Sequence, residues 1–237
     1  MWAECYTGGL ANTQPSRPII LAIDGPSGVG KGTVSRALAE ALGYRHIDTG
    51  AMYRAVAWKA REQGLPLDGE VAVADLASRI EMSMEHAALI VDGVDVTRAI
   101  RTPEIDHAAA TVARMPRVRA VLVQRQRALG RPGGVVMEGR DIGTVVFPDA
   151  DVKIYLDASP EERARRRAAD PTHGGSAKAL VEVATALAAR DQSDQTRAAS
   201  PLTIAPDAIL VDTTGVPVEE VVERVLEIVR SRLSIDD

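Results

Sequence analysis

Aromatic side chains are scarce in this chain, with two Trp, four Tyr and one Phe in 237 residues. So few rings cannot stack a row of bases, which argues against a single-stranded nucleic-acid platform. Cysteine is nearly missing too: Cys5 stands alone, so there is no disulfide framework and no thiolate metal site. The four histidines are scattered, without metal-ligand spacing. Asn12 is the only asparagine, so a guanine-reading N-K-x-D motif is impossible, and no T-K-x-D occurs. No run of 18 apolar residues exists, and a charged start followed by an apolar stretch is missing at the N-terminus. The net charge of -5 would repel a phosphate polymer overall. These absences predict a soluble, cytoplasmic protein with no membrane or nucleic-acid polymer as partner.

A full core is within reach, since 46% of the residues are hydrophobic. The length suits one domain with a small insert. Residues 1–17 show neither helical nor strand periodicity and read as a flexible tail, leaving 18–237 for the folded domain. "PIILAID" (18–24) is a continuous apolar run, as expected for a parallel strand covered on both faces. Val34, Ala37, Leu38, Ala41 and Leu42 then mark one face of a helix that stops at Gly43. "YRHID", "VVMEG", "VKIYLDA" and "AILVDTT" are further strands. Helices are expected over 49–64, 116–129, 159–169, about 177–190 and 217–233. Strands alternating with helices predict an α/β fold with a doubly wound parallel sheet. Residues 81–102 break the rhythm with two strand-like pieces around Asp92-Gly93, a hairpin signal inside an inserted subdomain.

The loop Gly25-Pro26-Ser27-Gly28-Val29-Gly30-Lys31-Gly32-Thr33 lies between the first strand and the first helix. Backbone N–H groups of such a loop can turn inward around phosphate oxygens at the positive end of a helix, and Lys31 adds a mobile charge. Gly32 stands where a hydroxyl usually follows the lysine, and the hydroxyl is displaced to Thr33. A Mg²⁺ ion would then be held by phosphates, Thr33 or water, with Asp24 or Asp141 in the outer shell.

"GPSGVGKGT" resembles the loop of nucleoside monophosphate kinases. "DTGAMYR" (48–54), "IRTPEI" (100–105), "PRVR" (116–119), "EGRDIGTVVFPDADVKIYLDAS" (138–159) and "RDQSDQTRAASPL" (190–202) make the chain similar to bacterial cytidylate kinases over about residues 18–233. The resemblance implies a P-loop kinase fold with a five-stranded parallel core. It also implies a CMP-side insert near 81–115, a lid over about 163–190, and a monomer. The implied reaction takes ATP, with Mg²⁺, and CMP or dCMP to ADP and CDP or dCDP. Another acceptor, such as UMP or AMP, is the nearest rival.

Thr49 can cap a helix, and Arg54 can be a solvated helix arginine; the resemblance places both on the monophosphate. It brings Arg119 and Asp141 to the cytosine and Arg140 to phosphate, although Arg140 and Asp141 could instead pair with each other. A serine is expected nine residues before Arg119, but Ala110 is there, leaving Thr111 or water to replace it. Ser159 with Glu162 forms a capping box ahead of Arg163, Arg165, Arg166 and Arg167. At least one of these four should face phosphate, and Arg166 is taken as the catalytic choice beside Lys31, Arg140 and Asp141. Arg190, Asp194 and Arg197 fall at i, i+4 and i+7, either a surface ion pair or, by resemblance, contacts to the phosphate and ribose of CMP.

Overall fold

A computed structural model describes residues 17–85, 88–170 and 180–233. The expected flexible tail therefore lies outside the described residues up to position 16. Arg17, at its end, pairs with Asp151 at 2.6 Å.

The chain runs β1 (Ile20–Asp24), α1 (Lys31–Leu42), β2 (Arg45–Asp48), α2 (Thr49–Glu62), α3 (Glu70–Arg79), β3 (Met82–Glu85), β4 (Ala88–Val91) and β5 (Val94–Asp95). It continues with α4 (Pro103–Val112), α5 (Pro116–Gly130), β6 (Val135–Glu138), a π-turn (Ile142–Val146), β7 (Val152–Asp157), α6 (Pro160–Ala169), α7 (Leu180–Thr196), β8 (Ile209–Asp212) and α8 (Val218–Leu233). Five strands form one parallel sheet in the order β2-β6-β1-β7-β8. Side chains of β1 alternate between the two faces, as a pleated strand requires. Leu21 and Ile23 pack with Leu38 and Leu42 of α1 and Val225 of α8, while Ala22 meets Ile47 and Met137 on the other side. Burial on both faces is why β1 reads as an unbroken apolar run.

Gly43 ends α1 at φ 66, a left-handed cap that an L side chain rarely adopts. Ser159 caps α6, its Oγ accepting from the Glu162 N–H at 3.2 Å. The reciprocal half of the capping box does not form, because the Glu162 carboxylate turns to Arg165 and Arg166. Asp92 (φ 48) and Gly93 (φ 79) make a left-handed turn between β4 and β5, the geometry that favours Asp-Gly. The antiparallel unit is three-stranded rather than two-stranded, because β3 pairs with β4. With α3 and α4, which lack a sequence signal as strong as the hairpin's, it shares an apolar cluster with α2 and α5. Among the described residues no helix is long and apolar enough to cross a membrane.

Candidate functional site

The carboxyl ends of β1, β2 and β6 open on a cavity of about 1040 Å³, lined further by residues of α4, α6 and α7. The glycine loop forms one wall. Gly25 is at φ 147, and a Cβ there would lie 2.1 Å from the Leu156 carbonyl oxygen, so only glycine lets the loop leave β1 at this point. Lys31, the first residue of α1, folds back to donate to the Gly25 and Pro26 carbonyls at 2.8 and 2.6 Å. Burial, with Arg140 adding to it, holds the ammonium well below its ordinary pKa. An anion placed in the loop would reverse that. Ser27 through Thr33 line the cavity, whereas Gly25 and Pro26 lie beneath it as acceptors for Lys31.

The opposite wall begins at the start of α2. Asp48, not Thr49, is its N-cap, accepting from the Ala51 N–H at 2.9 Å. Thr49 is the first helical residue, and its hydroxyl donates to the Glu138 carbonyl at 2.7 Å. Arg54 is no solvated helix arginine: it donates to Asp48 at 2.8 Å, with Arg101 3.8 Å away. Burial pushes Asp48 up, but Arg54, the Ala51 amide and Arg101 more than offset it, leaving the carboxyl below its usual range.

Arg140 and Asp141 do not pair with each other. Arg140 donates to Asp194 at 3.0 Å, and Asp141 accepts from Arg119 at 2.5 Å with Arg197 at 3.7 Å. The Arg119 guanidinium lies over the Tyr53 ring at 5.3 Å. Arg119 is thus buried. The stripe 190–194–197 falls on one wall because α7 continues past residue 190 to Thr196. Arg190 is lowered to about 10 by burial, with Arg140 adding repulsion. Asp194 is pushed up by burial but pulled further down by Arg140, Arg190 and Arg197. Ala110 lines the cavity; the Thr111 hydroxyl bonds to His107 within α4 and does not line it. Thr111 therefore does not replace the expected serine.

The four arginines of α6 separate. Arg163 pairs with Asp191 and donates to the Ser27 carbonyl of the loop, while the Ser27 N–H donates to Asp191 at 3.2 Å. Arg166 reaches the Val29 carbonyl at 3.2 Å and the Thr213 hydroxyl at 2.9 Å. Arg167 crosses to Asp106 of α4 at 2.5 Å. Arg165 pairs with Glu162 and its side chain is 66% exposed. Sequence reasoning missed Tyr53, Arg101, Asp106 and Asp191. Tyr53, Arg101 and Asp191 sit inside the quoted motifs, and Asp106 directly follows one of them.

Two sequence expectations for Mg²⁺ ligands differ in placement. Thr33 lies on the cavity wall, whereas Asp24 is buried beside it and accepts two backbone amides. Among the described residues no group of three or more His, Cys, Asp or Glu is arranged to hold a metal. Glu138 lies near the loop: a Cβ on Gly32 would be 3.3 Å from its Oε1. An ion carried mainly by phosphates and water fits this sparse oxygen set.

A glycine loop with a buried lysine, facing a wall of arginines and carboxylates, suits two phosphorylated molecules held head to head. The profile of one family, cytidylate kinase, matches residues 21–231. A cytidylate kinase of Desulfitobacterium hafniense is 49% identical over 216 residues, 90% of this chain and 93% of that protein. One from a Geobacillus species is 49% identical over 219 residues, 91% of this chain and 98% of the other. A solved structure of an uncharacterized protein from Eubacterium ventriosum covers 91% of this chain and 99% of its own at a TM-score of 0.53, but at 13% identity that likeness concerns the fold alone. The matched span takes in the glycine loop and both charged walls, and on that ground the chain belongs to the cytidylate kinase family.

Proposed function

We propose that the protein transfers the γ-phosphoryl group of ATP to CMP or dCMP, giving ADP and CDP or dCDP. The observation that carries this is the single cavity shared by the Lys31 loop and the wall formed by Arg54, Arg119, Arg140, Asp141, Arg190 and Arg197. The loop takes the ATP phosphates on its N–H groups and on Lys31. Thr49, Arg54, Arg140 and Arg190 meet the acceptor phosphate. Arg119 and Asp141 meet the base, the carboxylate accepting from the exocyclic amino group of cytosine. Asp194 and Arg197 complete the ribose and phosphate side.

A phosphate oxygen is already ionised at pH 7, so the attacking group needs no general base. The work left to the protein is alignment and charge neutralisation. Lys31, Arg140 and Arg166 are placed to do it, and the arginine-bearing helix α6 keeps water from the transferring group. Thr33 would touch a Mg²⁺ ion brought in by ATP, whose charge would neutralise the β- and γ-phosphates. The same reading takes the protein as a monomer acting in the cytoplasm.

Incubation of purified protein with Mg-ATP and a panel of monophosphates, read as ADP release, tests the reading. Turnover should be greatest with CMP and dCMP. A higher kcat/KM for UMP or AMP than for either would overturn the acceptor assignment.

A further inference from the structure

Asp24 ends β1, directly before the glycine loop, and is 5% exposed. It is absent from the cavity wall, and its carboxylate is divided between two backbone donors. Oδ1 accepts from the Ile142 N–H at 2.9 Å and Oδ2 from the Gly143 N–H at 2.8 Å. These amides open the π-turn Ile142–Val146, whose N-cap is Asp141. The first N–H groups of any helical turn find no acceptor inside it. Here Asp141 supplies its carbonyl to Val146 at 3.1 Å, while its side chain is turned to Arg119. Asp24 is the acceptor that the head of the turn requires. The fit is close: a Cβ on Gly143 would stand 3.1 Å from Lys153 Cδ and 3.5 Å from Asp24 Oδ2.

We propose that Asp24 is a positioning residue for acceptor recognition: it clamps the head of the π-turn and so fixes the Asp141 carboxylate against Arg119 and Arg197. The start of the donor loop and the base end of the acceptor site are thereby tied to one buried side chain. Asp24 acts through backbone, not on the metal. The proposal rests on the reading of Asp141 as a CMP contact.

The test compares Asp24→Asn, Asp141→Asn and the double variant. CMP affinity is measured by calorimetry without ATP, and steady-state kinetics are run in CMP and in Mg-ATP. Asp24→Asn turns one acceptor into a donor facing an amide N–H. It should weaken CMP binding and lower kcat/KM for CMP roughly tenfold or more, with KM for Mg-ATP within about twofold of the parent. In the Asp141→Asn background the same change should cost less than about twofold, since its route runs through Asp141. Parent-like CMP binding in Asp24→Asn, a loss confined to Mg-ATP, or additive effects of the two substitutions would each overturn the proposal. Should Asp24→Asn fail to fold, Gly143→Ala disturbs the same clamp while keeping the carboxylate, and the same pattern with Asp141→Asn is required of it. Parent-like CMP binding in Asp141→Asn alone would instead overturn the reading of Asp141, whatever Asp24 does.

Discussion

Arg197 separates an acceptor-binding wall from a merely structural one. The residue is 5% exposed. Nε donates to the Ser200 carbonyl at 2.6 Å, and Nη1 stands 3.5 Å from Asp194. Nη2 is 3.7 Å from Asp141 and has no hydrogen-bond partner among the described residues. Burial, with Arg119 adding repulsion, lowers its pKa, and an anion seated against Nη2 would offset both. Arg197→Ala therefore has two separable costs. Removing the bond to Ser200 and the support of two carboxylates should lower stability by about 2 kcal/mol. In a domain of this size that is about 4–8 °C in Tm. If the free Nη2 meets CMP, a further charge-assisted bond worth roughly 1.5–3 kcal/mol disappears from the complex. That is about ten- to a hundredfold in kcat/KM for CMP, with KM for Mg-ATP unchanged. The assay is steady-state kinetics at 25 °C, well below the variant's Tm, beside a thermal melt. A kcat/KM for CMP within about threefold of the parent, alongside a lowered Tm, would refute the binding role, because threefold is under 1 kcal/mol. An unchanged Tm would refute the buried geometry itself.

Lys31→Met should keep a circular dichroism spectrum like the parent's but lose most of kcat, about a hundredfold or more, since its charge matters chiefly in the transition state; single-turnover rates check this. Ala110→Ser puts a hydroxyl on the cavity wall where Thr111 supplies none. It should raise the CMP/UMP ratio of kcat/KM by roughly two- to tenfold, one added hydrogen bond, measured by competition between the two substrates. Asp24 gives a pH signature: burial raises its pKa from 3.8 to about 6, against the pull of the Gly143 and Ile142 amides. The unfolded state ionises first, so this stabilising difference is present below about pH 4 and fades as pH rises through 6. The parent should lose about 3 kcal/mol relative to Asp24→Asn between pH 4 and 7.5, read from denaturant midpoints; a flat difference would mean that the two amides fully offset the burial of Asp24.

Local signals made much of this molecule legible. β1, the glycine loop and α1 follow from an apolar run, a glycine cluster and a 3.6-residue stripe, each confined to neighbouring residues. What could not be read were the choices among charged partners. Asp141 had Arg140 beside it in sequence but is met by Arg119, 22 residues away, and Arg140 is met by Asp194, 54 residues away. Adjacent side chains leave the chain in different directions, so pairing is decided by which elements the sheet order brings together. The strand order placed β6 beside β1, and with it the π-turn against Asp24. The two helices α3 and α4 were hidden for another reason. Their buried faces mix Val73, Leu76, Ile105 and Val112 with the alanines Ala74, Ala77, Ala108 and Ala109, and alanine is as common on an exposed face as on a buried one. Ala109, Ala110 and Ala113 of that segment line the acceptor side of the cavity. Small side chains there leave room for a substrate, so the feature that blurred α4 in the sequence is also what opens the site beside it.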